Sequence, residues 1–210
     1  MKEYKALARS VCAEYVLKRS RFLCYTRPVT ADEDALAFIK EISAKHWDAR
    51  HNVWAYVLRE GARTRYSDDG EPQGTAGLPV LEALRSRGIT DSALVVTRYF
   101  GGILLGASGL ARAYSQSAAL GIEKAGITSY IPSVGLRLCC TYSNFSRLER
   151  LVAQMEGVIN SKEFGQDVEI ELELPISAQE GFIAGLGEIS HTCVPETVFS
   201  GFIPVKYNAT

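Results

Sequence analysis

The chain reads as an α+β protein of two domains, and three observations predict it. Residues 132–210 switch between strand and helix periodicity in the order βαββαβ. Residues 1–131 mix short alternating runs with amphipathic stretches, as a mixed α/β domain does. The two parts also differ in charge. Residues 1–131 hold 18 Lys and Arg against 14 Asp and Glu, net +4, while residues 132–210 hold 5 against 10, net −5. Opposed surfaces within one chain of net charge −1 fit two domains, and 210 residues suffice for two small domains or one large one.

In chain order, strand-like runs at 9–18 and 21–28 come first. A helix follows, with Thr30 as its cap and Glu33 three residues on, burying Ala35, Phe38, Ile39 and Ile42. NVWAYVL, directly after Arg50 and His51, reads as a strand, and a polar strand spans 63–67. After an acidic loop come a helix near 76–87, the apolar strand ALVVTRYF, a Gly-rich turn and a long helix to about 125. The domain boundary falls at 126–134, where Gly126, Pro132 and Ser133 interrupt the patterns.

Beyond it, LRLCCTY sets Leu136, Leu138, Cys140 and Tyr142 on one strand face. Leu148, Leu151, Val152 and Met155 recur at helical spacing. VEIELEL sets Val168, Ile170, Leu172 and Leu174 against Glu169, Glu171 and Glu173, and 158–164 pairs with it across Gly165–Gln166–Asp167. Ser177 and Glu180 have capping-box spacing ahead of a helix with Phe182, Ile183, Leu186 and Ile189, and a last strand runs from Val198 to Ile203. This succession is the ferredoxin-like arrangement. No residue cluster in it suggests chemistry, so it reads as a docking or accessory module.

Composition excludes several classes. No apolar stretch follows the N-terminal charges as in a secretory signal, and no apolar run approaches the ~20 residues of a membrane span. Cys12, Cys24, Cys139, Cys140 and Cys193 lack CxxC spacing and read as buried thiols of a reducing compartment, so a cytoplasmic protein is expected. A charge of +4 over 1–131 is too small to make a nucleic-acid case by itself.

Two segments concentrate special residues. DDGEPQGTAG, 68–77, holds three carboxylates, three glycines and a proline in ten residues. Asp68, Asp69 and Glu71 could meet a hard cation or do acid–base work, but they lack a regular oxygen-ligand spacing. Equally, the aspartates could cap nearby N–H groups while Pro72 and the glycines hold the backbone, with Thr75 capping the next helix. In 95–115 a buried strand ends at Gly101 and Gly102, then Gly106, Ser108 and Gly109 open a small-residue helix. Such a join brings backbone donors and a helix N-terminus to an anion, with Arg98 and Arg112 as nearby charges. It is neither the P-loop nor the Rossmann pattern, and tight packing on a sheet explains small residues as well. His46 and His51, five apart, do not form a zinc pair. No metal and no cofactor are expected.

ARHNVWAY at 49–56, SDDGEPQGTAGLPVLEAL at 67–84 and VVTRYFGGILLGASGLARAY at 95–114 together resemble the YigZ/IMPACT family over nearly the whole chain. The resemblance implies a first domain of the ribosomal-protein and GHMP-kinase-like fold. It implies a second domain, ferredoxin-like, similar to a terminal domain of elongation factor G. It further implies a translation-linked role, since eukaryotic relatives regulate translation. The residues matching the family pattern are Arg50, His51, Asp68, Asp69, Glu71, Gly74, Thr75, Gly77, Arg98, Gly101, Gly102, Gly106 and Gly109. The family commonly reads GGIKLGTGGLVRAY, so here Leu104 replaces lysine, Ala107 threonine and Ser108 glycine. The lost lysine removes a cation from the turn.

The expected binding surface therefore gathers Arg50, His51, Asp68, Asp69, Glu71, Thr75, Arg98, Gly101, Gly102, Gly106, Ser108, Gly109 and Arg112. The leading expectation is a translation-linked regulatory protein contacting RNA, the ribosome or a translation factor. The alternatives are an enzyme or binder of a small phosphorylated metabolite, and a pure protein-interaction module.

Overall fold

Near the N-terminus lies a short strand that the sequence reading leaves out, β1 (Tyr4–Leu7). Ala6 and Leu7 are buried there, and the Leu7 N–H donates to Ser92 Oγ at 3.0 Å. The computed structural model describes residues 2–191 and 193–205, which fall into two units, one of Tyr4–Ser129 and one of the residues from Tyr130 on together with 2–3.

The first unit continues with β2 (Val11–Leu17), β3 (Ser20–Pro28), α1 (Asp32–Lys45), β4 (His51–Val57), β5 (Thr64–Ser67), α2 (Gly77–Arg85), β6 (Ser92–Tyr99) and α3 (Gly106–Ala125). Its sheet has the order β2-β3-β6-β4-β5, and each neighbouring pair is antiparallel. Strand alternation sorts the apolar residues into two layers. Val53, Ala55, Leu94 and Val96 pack with Val80, Leu84, Ala113 and Ile122 of α2 and α3. Tyr56, Ala93 and Val95 pack with Phe38 and Ile42 of α1. Covered on both faces, β6 needs the uninterrupted apolar run that it has.

Thr30 does not cap α1. The cap position is Ala31, which makes no side-chain bond, and Asp32, Glu33 and Asp34 complement the helix dipole instead. Asp32 Oδ1 accepts the Tyr56 hydroxyl at 2.7 Å, tying the helix start to the sheet.

His46 ends α1 as a buried connector, with Nε2 2.7 Å from the Tyr25 hydroxyl and Nδ1 2.9 Å from that of Tyr99. Burial, then Lys45, pushes its imidazole below the usual 6.5. The unfolded chain thus takes up a proton near pH 6.5 while the folded one resists until lower pH. The stability from neutral His46 is complete above that value and is lost as pH falls toward the lowered one. Urea unfolding at about pH 7.5 and about pH 5.5 should show a smaller acid-side loss in His46→Gln than in the parent.

The second unit contains the body of β7 (Ile127–Cys140), α4 (Tyr142–Gln154), β8 (Val158–Phe164), β9 (Val168–Pro175), α5 (Gln179–Ile189) and β10 (Glu196–Pro204). Four strands take the order β10-β7-β9-β8, antiparallel throughout. Val168, Ile170, Leu172 and Leu174 are all buried, against Leu148, Leu151, Val152, Phe182 and Leu186.

Four readings need correction. Pro132 and Ser133 do not interrupt a pattern but lie within β7. Pro132 faces Phe202 of β10, and pairing with β9 starts only at Ser133, so the missing N–H is tolerated. Gly126, by contrast, does end α3, at φ +73. Tyr142 leaves the apolar strand face because α4 begins there, and it is exposed. Ser177 sits inside a short 3-10 turn, Ile176–Ala178, and the position before α5 makes no side-chain cap. All five cysteines are free thiols, but Cys139 is exposed and Cys12 half-buried, since Cys140 takes the inward position on β7. Among the described residues, no helix is long and apolar enough to cross a membrane.

Candidate functional site

Antiparallel pairing of β4 and β6 sets His51 opposite Arg98, which brings both to one end of the first sheet. The acidic loop after β5 returns to the same end. His51 Nδ1 lies 2.7 Å from the Asp69 carbonyl oxygen, so that nitrogen carries the hydrogen and donates. The Asn52 N–H donates to Asp69 Oδ2 at 2.6 Å. Gly70 takes φ +84 beside the imidazole, a backbone state that glycine adopts without strain.

Asp68 turns inward and caps α2. Its Oδ1 accepts the N–H groups of Ala76 and Gly77 at 3.0 and 2.8 Å, and Oδ2 accepts that of Gly74 at 2.9 Å. Thr75 is not the cap. Its hydroxyl donates to the Pro72 carbonyl at 2.7 Å and closes the turn. Asp68 therefore spends both oxygens on backbone donors, and Asp69 spends Oδ2. No group of three His, Cys, Asp or Glu side chains among the described residues is placed to hold a metal ion.

Glu71 is the buried acid of the loop. Its Oε1 accepts from Arg98 Nη1 at 2.6 Å and from the Tyr114 hydroxyl at 2.9 Å, with His51 Nε2 at 3.9 Å. Burial, reinforced by the charge of Glu71, pushes the Tyr114 hydroxyl far up, so it serves as a donor. Arg98 also lies over the rings of Phe22 and Phe100, 5.6 Å from each centroid.

These groups border a cavity of about 340 Å³. Arg50, His51, Glu71, Pro72 and Arg98 line it, and Leu105, Gly106 and Ala107 bring the start of α3 to it. Phe100, Leu104 and Leu110 complete an apolar wall.

The cavity gathers Arg50, His51, Glu71, Arg98 and Gly106, with Asp69 behind His51. It does not gather the rest. Gly101 serves packing, because a Cβ there would collide with the backbone of Arg19 and Ser20. Gly102 and Ser108 are exposed outside its lining, and Gly109 packs on Leu105. Arg112 projects from another side of α3, into a depression with Tyr15, Pro79 and Gln116, so it supplies no charge here. Tyr114 and Phe100 are absent from the sequence-read site. For Tyr114 the signal was its place eight residues after Gly106, among small core positions where a buried hydroxyl needs a partner.

The family described as Impact N-terminal domain matches residues 18–122. The Bacillus subtilis protein YvyE, an IMPACT family member, is 35% identical over 179 residues, covering 85% of this chain and 82% of its own. The chain belongs to the IMPACT family. The Escherichia coli IMPACT family member YigZ is 34% identical over 177 residues, 83% of this chain and 87% of that one. A second match, to a domain of unknown function (DUF1949), spans residues 138–191 of this IMPACT-family chain. A solved structure described as "Crystal structure of an hypothetical protein" is 31% identical with a TM-score of 0.61, covering 95% of this chain and 98% of that one.

Proposed function

We propose that this IMPACT-family chain is a translation-linked regulatory binding protein that contacts RNA, the ribosome or a translation factor through its first unit. The observation that carries the reading is the state of the acids. Both Asp68 oxygens, Asp69 Oδ2 and Glu71 Oε1 are engaged by backbone N–H groups, Arg98 and Tyr114, and a visitor to the cavity also meets Arg50, His51, the α3 N-terminus and an apolar rim. Such a face suits recognition better than acid–base chemistry. The net charge of +4 over residues 1–131 favours contact with phosphates on this unit over the acidic one.

The folds support the same reading by analogy. The order β10-β7-β9-β8, with α4 after β7 and α5 after β9, supports a ferredoxin-like domain over 132–210, similar to a terminal domain of elongation factor G. The five-stranded sheet between α1 and the pair α2, α3 is compatible with the ribosomal-protein and GHMP-kinase-like fold over 1–131.

Ribosome co-sedimentation and RNA gel shifts at low and moderate salt test the proposal. Binding should fall steeply with salt. Leu104, 84% exposed on the rim, can be changed without touching the core. Leu104→Lys should bind RNA more tightly, with a salt slope steeper by at most about one unit. Equal binding by that variant at low salt removes the Gly-rich turn as the contact. Absence of binding to ribosomes and RNA overturns those two contacts and leaves a translation factor as the partner.

A further inference from the structure

The cavity wall contains a cation whose donors the fold uses only in part. The Arg98 side chain is 7% exposed, and its Nε is buried with no hydrogen-bond partner. The hydrogen bond it makes is from Nη1 to Glu71. A guanidinium has five N–H donors and stays charged, and a buried donor without an acceptor carries a desolvation penalty. Most buried polar groups in proteins find partners. Nε itself is closed to solvent, but the Arg98 side chain lines the cavity, so its charge is presented to an acceptor there.

A second source of donors faces the same space. Helix α3 runs for twenty residues, and its cap residue Leu105 makes no side-chain bond. Its first turn contains no acid. The N–H groups there are the positive end of the helix, and Gly106 and Ala107 bring them to the cavity. Arg50, exposed at the mouth, adds a cation. The carboxylate of Glu71 opposes an anion, yet Arg98 and Tyr114 already engage it. His51 also lines it, the rest of the wall is apolar, and about 340 Å³ lies in the range of small-molecule sites.

We propose that this cavity binds a small organic oxyanion, a phosphate monoester or a carboxylate on a compact apolar body. The oxyanion accepts from Arg98 and the first turn of α3, while the body lies against Phe100, Leu105 and Leu110. The site goes beyond the translation-linked reading and does not depend on it, since ribosome sedimentation and small-anion titration succeed or fail separately.

The test is a protein-observed NMR titration of the full chain at constant ionic strength. The probes are phenyl phosphate, benzoate, inorganic phosphate and benzyl alcohol. Saturable shifts at residues 98–110 are expected from phenyl phosphate or benzoate, and the stronger of the two identifies the head group. Inorganic phosphate should bind at least about tenfold more weakly, and benzyl alcohol should give no saturable shift. Ala107→Glu places a carboxylate in the first turn of α3, which favours the helix and fills the anion position. It should lower affinity at least about tenfold without lowering the melting temperature of the free protein. Arg50→Ala should weaken binding several-fold. The proposal is overturned if neither organic anion saturates below about 10 mM, if inorganic phosphate matches them, or if Ala107→Glu binds as tightly as the parent.

Discussion

Arg98→Met is expected to destabilise the protein by about 3–5 kcal/mol, the largest effect of any single change at the site. The substitution keeps the apolar contact with Phe22 but leaves Glu71 buried beside Tyr114 and His51 without its cation. Glu71→Leu alone should be destabilising for the converse reason, since it strands a guanidinium. The double variant should recover much of the loss, because removing a buried ion pair as a unit can be nearly neutral. Denaturant unfolding of the two single variants and the double variant gives the coupling directly. A single-variant loss below about 1 kcal/mol would mean that the pair is solvated and is no strut.

Asp68→Ala is the second large effect, expected at about 2–3 kcal/mol. One carboxylate accepts three backbone N–H groups at the start of α2, and alanine leaves all three without that partner. Asp68→Asn should fall between, because its amide offers one acceptor oxygen where the carboxylate has two. Amide exchange at Gly74, Ala76 and Gly77 should accelerate in Asp68→Ala while the β6 amides stay protected. Unchanged exchange at those three positions would show that the carboxylate does not hold the loop.

Much of the architecture was legible because it rests on periodicity. VEIELEL buries its four aliphatic residues as the alternation requires, and Phe38 and Ile42 lie inward as helical spacing requires. The helix caps were not legible. Thr30, Thr75 and Ser177 each have the right residue type near a helix start, and none of them caps. At α2 the cap comes from Asp68, nine residues before Gly77, across a loop whose path no local pattern encodes. Site membership divides along the same line. His51 and Arg98 meet because strand register dictates it, with Arg50 next to His51 in the chain, whereas Arg112 turns away because position on α3 decides its direction. That Arg98 pairs with Glu71, and that Tyr114 joins them, is tertiary information.

The close approach at Gly101 has a consequence for anyone wishing to move this loop into another scaffold. Its N–H donates to Ser20 Oγ at 3.1 Å, and its Cα lies against the chain at Arg19 and Ser20, eighty-one positions away from Ser20 to Gly101. Lys18 and Arg19 turn that hairpin with φ of +46 and +66. The Gly-rich loop is therefore half of a two-part mould. A graft of residues 99–110 alone would lose its shape, and one that transplants the 17–20 hairpin with it keeps the surface against which the loop is cast.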